Sequence, residues 1–145
     1  MVLVRPCEEK DFFMIKDIIK EFHTEALEKF GLQYDDAQTN VVIETEYKEA
    51  LVLEVGGDVV GVISGHLIAD GVHAGKIFQE TIWYVKKEHR GYGKRLIKAL
   101  EHRCKEQGLN AIIMGLIGNK MGERVELYYN RLGYKVLETH FIKEL

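Results

Sequence analysis

The sequence predicts an α/β fold on a mixed sheet, with element order β-α-α-β-β-β-α-β-α-β. Three observations carry this. A hairpin pattern closed by glycines lies mid-chain, a strand, helix and strand between Ile77 and Met114 have the form of a parallel crossover, and apolar residues recur at helical spacing before and after them. The 145 residues, 46% of them hydrophobic, suffice for one core, so a single domain over residues 1–145 is expected. Disorder is excluded because hydrophobicity is ordinary and the net charge is only −3.

Val2-Leu3-Val4, closed by Arg5-Pro6, reads as the first strand. Asp11 is placed to cap a helix whose inner face is Phe12, Ile15, Ile18, Ile19 and Phe22, and a second helix is expected from about Thr24 to Phe30, stopped by Gly31. Residues 51–55 and 59–64 flank Gly56-Gly57-Asp58, the signature of a hairpin. Ile77 to Val85, rich in β-branched and aromatic residues, is a third long strand. Leu96, Ile97, Leu100 and Cys104 line a helix that Gly108 ends, and Ala111 to Met114 is a buried strand. Met121, Val125, Tyr128 and Leu132 define the last helix, Gly133 stops it, and Tyr134 to Ile142 is expected to close the sheet as a strand.

Charge is uneven along the chain. Residues 1–60 hold fourteen acids against six bases, and residues 61–145 hold nine against fourteen. Such asymmetry suits a protein that meets a cation on one side and an anion on the other, although solvated helix faces produce it too. Cys7 and Cys104 are far apart and form no knuckle, so two reduced thiols are expected, and the six histidines offer no metal spacing. No apolar run is long enough for a membrane span and the N-terminus has no signal-peptide pattern, which points to the cytoplasm.

The segment carrying chemistry is Arg90-Gly91-Tyr92-Gly93, between a strand end and a helix start, followed by Lys94 and Arg95. Two glycines let the backbone turn and present amide groups, and the positive end of a helix favours an anion. Glycine alone often serves only to turn a strand into a helix. Here residues 86–105 add eight Lys or Arg against Glu88 and Glu101, so a diphosphate would meet both amides and cations. The loop lacks the Lys-Ser/Thr of a triphosphate-binding loop, because Arg95 follows Lys94, and it lacks the third glycine of a dinucleotide fingerprint, where Leu96 stands.

With these residues in view the sequence resembles the GNAT family of N-acetyltransferases over nearly its whole length. Val85 through Gly93 is similar to the family's Val-x-Pro-Glu-x-Arg-Gly-x-Gly-x-Gly, and Tyr129-Asn130-Arg131-Leu132-Gly133-Tyr134 to its late Tyr-x-x-Leu-Gly-Phe. The first strand with Asp11 and the hairpin around Gly56-Gly57 match in order, and the compact bacteriophage-type acetyltransferases look most similar. Lys87 replaces the family's proline, and the loop is two residues shorter; aligning Gly93 with the last glycine keeps Leu96-Ile97 on the helix's apolar face. Few residues follow Gly133, so the family's final hairpin is short of a strand, which a partner chain of a homodimer would be able to supply.

The resemblance implies a mixed sheet splayed near its fourth strand, helices on both faces, and acetyl-CoA as co-substrate with no metal. It implies acetyl transfer to a primary amine, in a small molecule or a peptide, by direct attack in a ternary complex. Glu80 is then the expected base, since burial raises a carboxylate's pKa towards neutrality. Tyr129 is the expected proton donor to the leaving thiolate, with Tyr128 as its rival, whose spacing with Val125 and Leu132 looks like core. Tyr84 and Val85 offer main-chain groups to the pantetheine arm, Arg90, Gly91, Tyr92, Gly93, Lys94 and Arg95 surround the diphosphate, and Asn119 either touches the cofactor or caps the last helix. Two other classes compete: a non-catalytic acyl-CoA-binding regulatory module, and nucleic-acid binding through residues 86–105. The second is set aside because the pI is about 6.1 and coenzyme A phosphates already account for the basic run.

Overall fold

The computed structural model describes residues 1–69, 75–118 and 122–145. Strands β1 (Val2–Pro6), β2 (Leu51–Val55), β3 (Asp58–Ile68), β4 (Ile77–Val85) and β5 (Ala111–Ile113) form one sheet in that order. β1 to β4 pair antiparallel, whereas β5 joins β4 in parallel after a helical crossover, so the mixed α/β class expected from sequence is present. Helices α1 (Phe12–Ala26), α2 (Asp36–Glu46), α3 (Gly93–Glu106) and α4 (Gly122–Arg131) complete the chain. Among the described residues, no helix is long and apolar enough to cross a membrane.

The sheet is covered on both faces. Ile15 and Ile18 of α1 and Ile43 of α2 pack on Val52, Val59, Val62 and Ile82. On the other face Leu96, Ile97 and Leu100 of α3, with Tyr129 of α4, pack on Leu53, Val60, Ile63 and Val85. Double coverage is why β2 and β3 read as nearly continuous apolar runs instead of alternating. Gly56 and Gly57 both have positive φ, 59° and 92°, the backbone of a two-residue turn whose twist suits the β2–β3 hairpin.

One irregularity positions the site. Ser64 of β3 faces Ile82 and Gly65 faces Glu80, which leaves Thr81 as an extra residue in β4. This bulge reverses the side-chain alternation. Beyond it Trp83 and Val85 pack on the α3 and α4 side and Ile82 and Tyr84 on the α1 and α2 side, whereas before it the even-numbered Phe78 packs on the α3 and α4 side. Gly65 is required opposite the bulge, because a Cβ there would collide with the Gln79 carbonyl oxygen.

Two sequence expectations need correction, a third holds in part, and one helix was not expected. The second helix over 24–30 is not separate: α1 runs to Ala26 and a single 3-10 turn, Glu28–Phe30, precedes Gly31. The actual second helix, α2, went unseen because its apolar residues are adjacent in sequence, Val41-Val42-Ile43, with Ile43 alone buried, so no stripe recurs. Its start is marked chemically, as Asp35 Oδ1 accepts the Gln38 amide at 2.7 Å. Asp11 stands at the N-cap position of α1 as expected, but its side chain makes no capping hydrogen bond to that helix. It accepts the Glu8 amide at 2.8 Å and two nitrogens of Arg5 at 2.7 and 2.9 Å, tying β1 to the turn before α1. Residues 134–142 form no strand: Val136 and Phe141 are 77% and 94% exposed, and among the described residues no strand pairs with this segment. A strand-prone sequence without a partner has nothing to fix it extended.

Candidate active site

β4 and β5 keep company for three rungs only, Ile77 with Ala111, Phe78 with Ile112 and Gln79 with Ile113. β5 then ends, while β4 continues through Val85 with no strand on that edge among the described residues. This is the splay expected near the fourth strand. Between the free edge of β4, the segment after β5 and the start of α4 opens a cavity of about 410 Å³. Phe22, Glu25 and Ala26 of α1 wall one side, Arg90, Gly93 and Lys94 another, and Leu116, Ile117, Arg124 and Val125 a third.

Glu80, just before the bulge, lies in this cavity. Without the extra residue its parity would place it with Ile82 and Tyr84, towards α1 and α2. Instead its carboxylate accepts the Gly115 amide at 2.8 Å. Burial pushes its pKa up to about 7, although the Gly115 hydrogen bond opposes the shift. Tyr129 reaches the same residue from α4: its hydroxyl donates to the Gly115 carbonyl at 2.8 Å. The two residues proposed from sequence as base and proton donor therefore converge on one residue, Gly115, and hold the peptide groups on either side of it.

The two adjacent tyrosines exchange the environments that spacing suggested. Tyr129 is 9% exposed within the buried cluster, and burial raises its phenol well above the ordinary range. Tyr128 is only partly buried, yet its hydroxyl oxygen is enclosed and has no hydrogen-bond partner among the described residues. Trp83 stacks near both, at 6.2 and 6.0 Å between centroids, and its indole N–H donates to the Gly93 carbonyl at 3.1 Å. Lys94 places its ammonium 4.9 Å from the Tyr128 ring centroid.

The segment expected to cradle the diphosphate is a 3-10 helix, Lys87–Tyr92, running into α3 at Gly93. Of the residues expected at the diphosphate, Tyr84, Val85, Arg90, Gly93 and Lys94 line the cavity; Gly91, Tyr92 and Arg95 lie outside its wall, with Arg95 over the Tyr92 ring at 5.5 Å. Asn119 falls outside the described residues. Arg90 turns towards α1: one terminal nitrogen donates to both oxygens of Glu25 at 2.7 and 2.6 Å, and Nε donates to the Val85 carbonyl at 3.3 Å. The Tyr84 hydroxyl donates to Glu25 at 2.6 Å.

Sequence reasoning missed Glu25, Trp83, Arg124 and the 115–117 segment. Glu25 was findable, since it lies three residues after Phe22 on the inward face of α1. Arg124 and residues 115–117 carry no local signal, because only the tertiary parting of β4 and β5 brings them to the cavity.

The comparisons with known proteins agree with this geometry. The Acetyltransferase (GNAT) family matches residues 12–134, and the chain belongs to that family of acetyltransferases. Among solved structures it is similar to a ribosomal-protein-alanine N-acetyltransferase from Brucella melitensis biovar Abortus 2308, with TM-score 0.77 and 18% identity over 99% of each chain. It is similar to an aminoglycoside acetyltransferase from an uncultured soil metagenomic sample, with TM-score 0.74 and 19% identity, covering 100% of this chain and 99% of the other. A third likeness, with TM-score 0.75 and 12% identity over 100% and 95%, is to the aminoglycoside N-acetyltransferase AAC(6')-Iy in complex with CoA. At such identities the likeness is one of fold. No curated protein matches the sequence.

Proposed function

We propose that this protein transfers an acetyl group from acetyl-CoA to a primary amine by direct attack in a ternary complex. The observation that carries the proposal is the cavity at the parted strands, which joins an unpaired β4 edge, a carboxylate of raised pKa and the cations Arg90, Lys94 and Arg124 in one space. A pantetheine arm has the amides and carbonyls to add alongside β4 as an extended strand would. The cations and the start of α3 suit the diphosphate.

An alkylammonium must lose a proton before its nitrogen attacks, and Glu80, titrating near neutrality, is the group to take it. As the nitrogen bonds to the thioester carbon, charge grows on the carbonyl oxygen, and a main-chain N–H at Tyr84 or Val85 is suited to stabilise it. The C–S bond then breaks, and the departing thiolate takes its proton from the Tyr129 hydroxyl as that group turns from the Gly115 carbonyl. The second proton shed by the attacking nitrogen restores the phenol, giving amide and free thiol. No acyl-enzyme is invoked: Cys104 is buried and the Cys7 thiol is pushed up to about 11, so neither is a ready nucleophile. The acceptor is a small-molecule or peptide amine.

One observation favours a second reading, a non-catalytic acyl-CoA-binding module. Glu80 and Tyr129 are both engaged with Gly115, a sufficient structural reason for their presence. A thiol-release assay with acetyl-CoA against a broad amine panel, with mass spectrometry of the product, separates the two. A product heavier by one acetyl group supports transfer. Binding of acetyl-CoA without thiol release from any amine supports the module.

A further inference from the structure

We propose, resting on the transferase reading above, that Glu25 selects an acceptor bearing a second positive charge, and that Arg90 covers Glu25 until the diphosphate of the donor draws the guanidinium away. Glu25 and Glu80 are the two carboxylates among the described residues lining the cavity, one on α1 and one on β4, so an amine entering the cavity meets both. An amine beside Glu80 supplies the reacting nitrogen. Glu25 is then an anion with no task in the chemistry, positioned to hold a further ammonium of the same molecule.

In this structure that anion is occupied. Arg90 reaches both of its oxygens at 2.6 and 2.7 Å, and the Tyr84 hydroxyl approaches it at 2.6 Å. The ion pair is partly open to solvent, its side chains being 29% and 41% exposed, and a pair so placed is weak and readily exchanged. Arg90 also sits at the mouth of the cradle, immediately before Gly91 and Gly93, and is the residue of this pair that a diphosphate attracts with two charges instead of one. Donor binding and uncovering of Glu25 are thereby one event. The acceptor's second charge finds its partner only after the donor is seated, which orders the two substrates without movement of α1 or the sheet. Phe22 and Tyr84, edge to face at 5.7 Å, line the same cavity and offer apolar surface to an alkyl spacer.

The test is calorimetry with a series of α,ω-diaminoalkanes and the matching monoamines, on wild type, Glu25→Gln and Arg90→Gln, with and without CoA, after thermal unfolding has shown all three folded. Wild type is expected to bind a diamine about tenfold more tightly with CoA present, an ordinary size for coupling between two sites. Arg90→Gln is expected to bind the diamine without CoA, and Glu25→Gln to lose the preference for diamine over monoamine while binding CoA at least as tightly as wild type. Diamine affinity in wild type that does not change with CoA, absent binding included, overturns the proposal. So does a Glu25→Gln variant that weakens CoA with diamine preference intact, since Glu25 would then only hold Arg90 in place. Failure of wild type to bind CoA at all counts against the transferase reading instead, and the Arg90→Gln arm, which needs no CoA, still reports on Glu25 separately.

Discussion

Glu80 concentrates the physical tension of the site in one carboxylate. Its folded-state pKa, about 7, lies above that of an unfolded glutamate, so the native state holds the proton more tightly. Its contribution to stability is therefore present at low pH and is lost as pH rises through about 7, amounting to at most about 3 kcal/mol at one pKa unit per 1.36 kcal/mol. Glu80→Gln is expected to raise the unfolding temperature at pH 8 and to change it little at pH 4, read by calorimetry at both. If Glu80 is the base, the same substitution lowers kcat by about 10²- to 10⁴-fold and removes the limb of the pH–rate profile near 7. The tyrosines separate in the same manner. Tyr129→Phe leaves the Gly115 carbonyl without its donor and is expected to cost about 1–2 kcal/mol, whereas Tyr128→Phe removes a hydroxyl that has no partner and should be neutral or mildly stabilising. A loss of kcat confined to Tyr128→Phe would transfer the proton-donor role to the rival residue.

At the scale of elements the bulge in β4 decides which face Glu80 joins. Gly65→Ala puts a methyl group into the Gln79 carbonyl, so the bulge must shift or the strands part. A loss of about 1–3 kcal/mol is expected, with acetyl-CoA affinity falling alongside it, measured by denaturant unfolding and calorimetry. The bulge is invisible in sequence because it depends on the register between β3 and β4, and nothing in either strand alone specifies that Thr81 is unpaired. α2 escaped for a different reason: it is held mainly by Ile43 and its Asp35 cap, and a helix with one buried residue shows no periodicity. By contrast, α3 was legible because Leu96, Ile97, Leu100 and Cys104 repeat at helical spacing and are all buried. The hairpin was legible because paired glycines with positive φ have a signature in composition. The cradle was legible as a segment, but the direction of Arg90, towards α1, was not, since its partner stands far away in the chain.

Over the whole molecule, the net charge of −3 conceals a cavity lined by three described cations, Arg90, Lys94 and Arg124. Affinity for CoA is expected to fall steeply between low and physiological salt, while the same titration with pantetheine alone should be nearly flat. The C-terminal segment behaves differently from the rest. Tyr134 donates its amide to the Tyr129 carbonyl at 3.0 Å, and beyond it the chain is mostly exposed. A variant ending at Lys135 is expected to unfold within a degree or two of the full chain. A much larger drop would mean that the segment packs more firmly than its exposure indicates.

The early parting of β4 and β5 has a measurable corollary. Alternate peptide groups from Glu80 to Val85 point along an edge with no neighbouring strand among the described residues, although the strand lies inside the sheet and not at its rim. Such hydrogens should trade for deuterium quickly in the free protein, ahead of those in β2 and β3, and slow down once a thioester donor lies beside them. Labelling followed by peptide mass analysis would then read occupancy of the cleft directly from the backbone, before any product is sought.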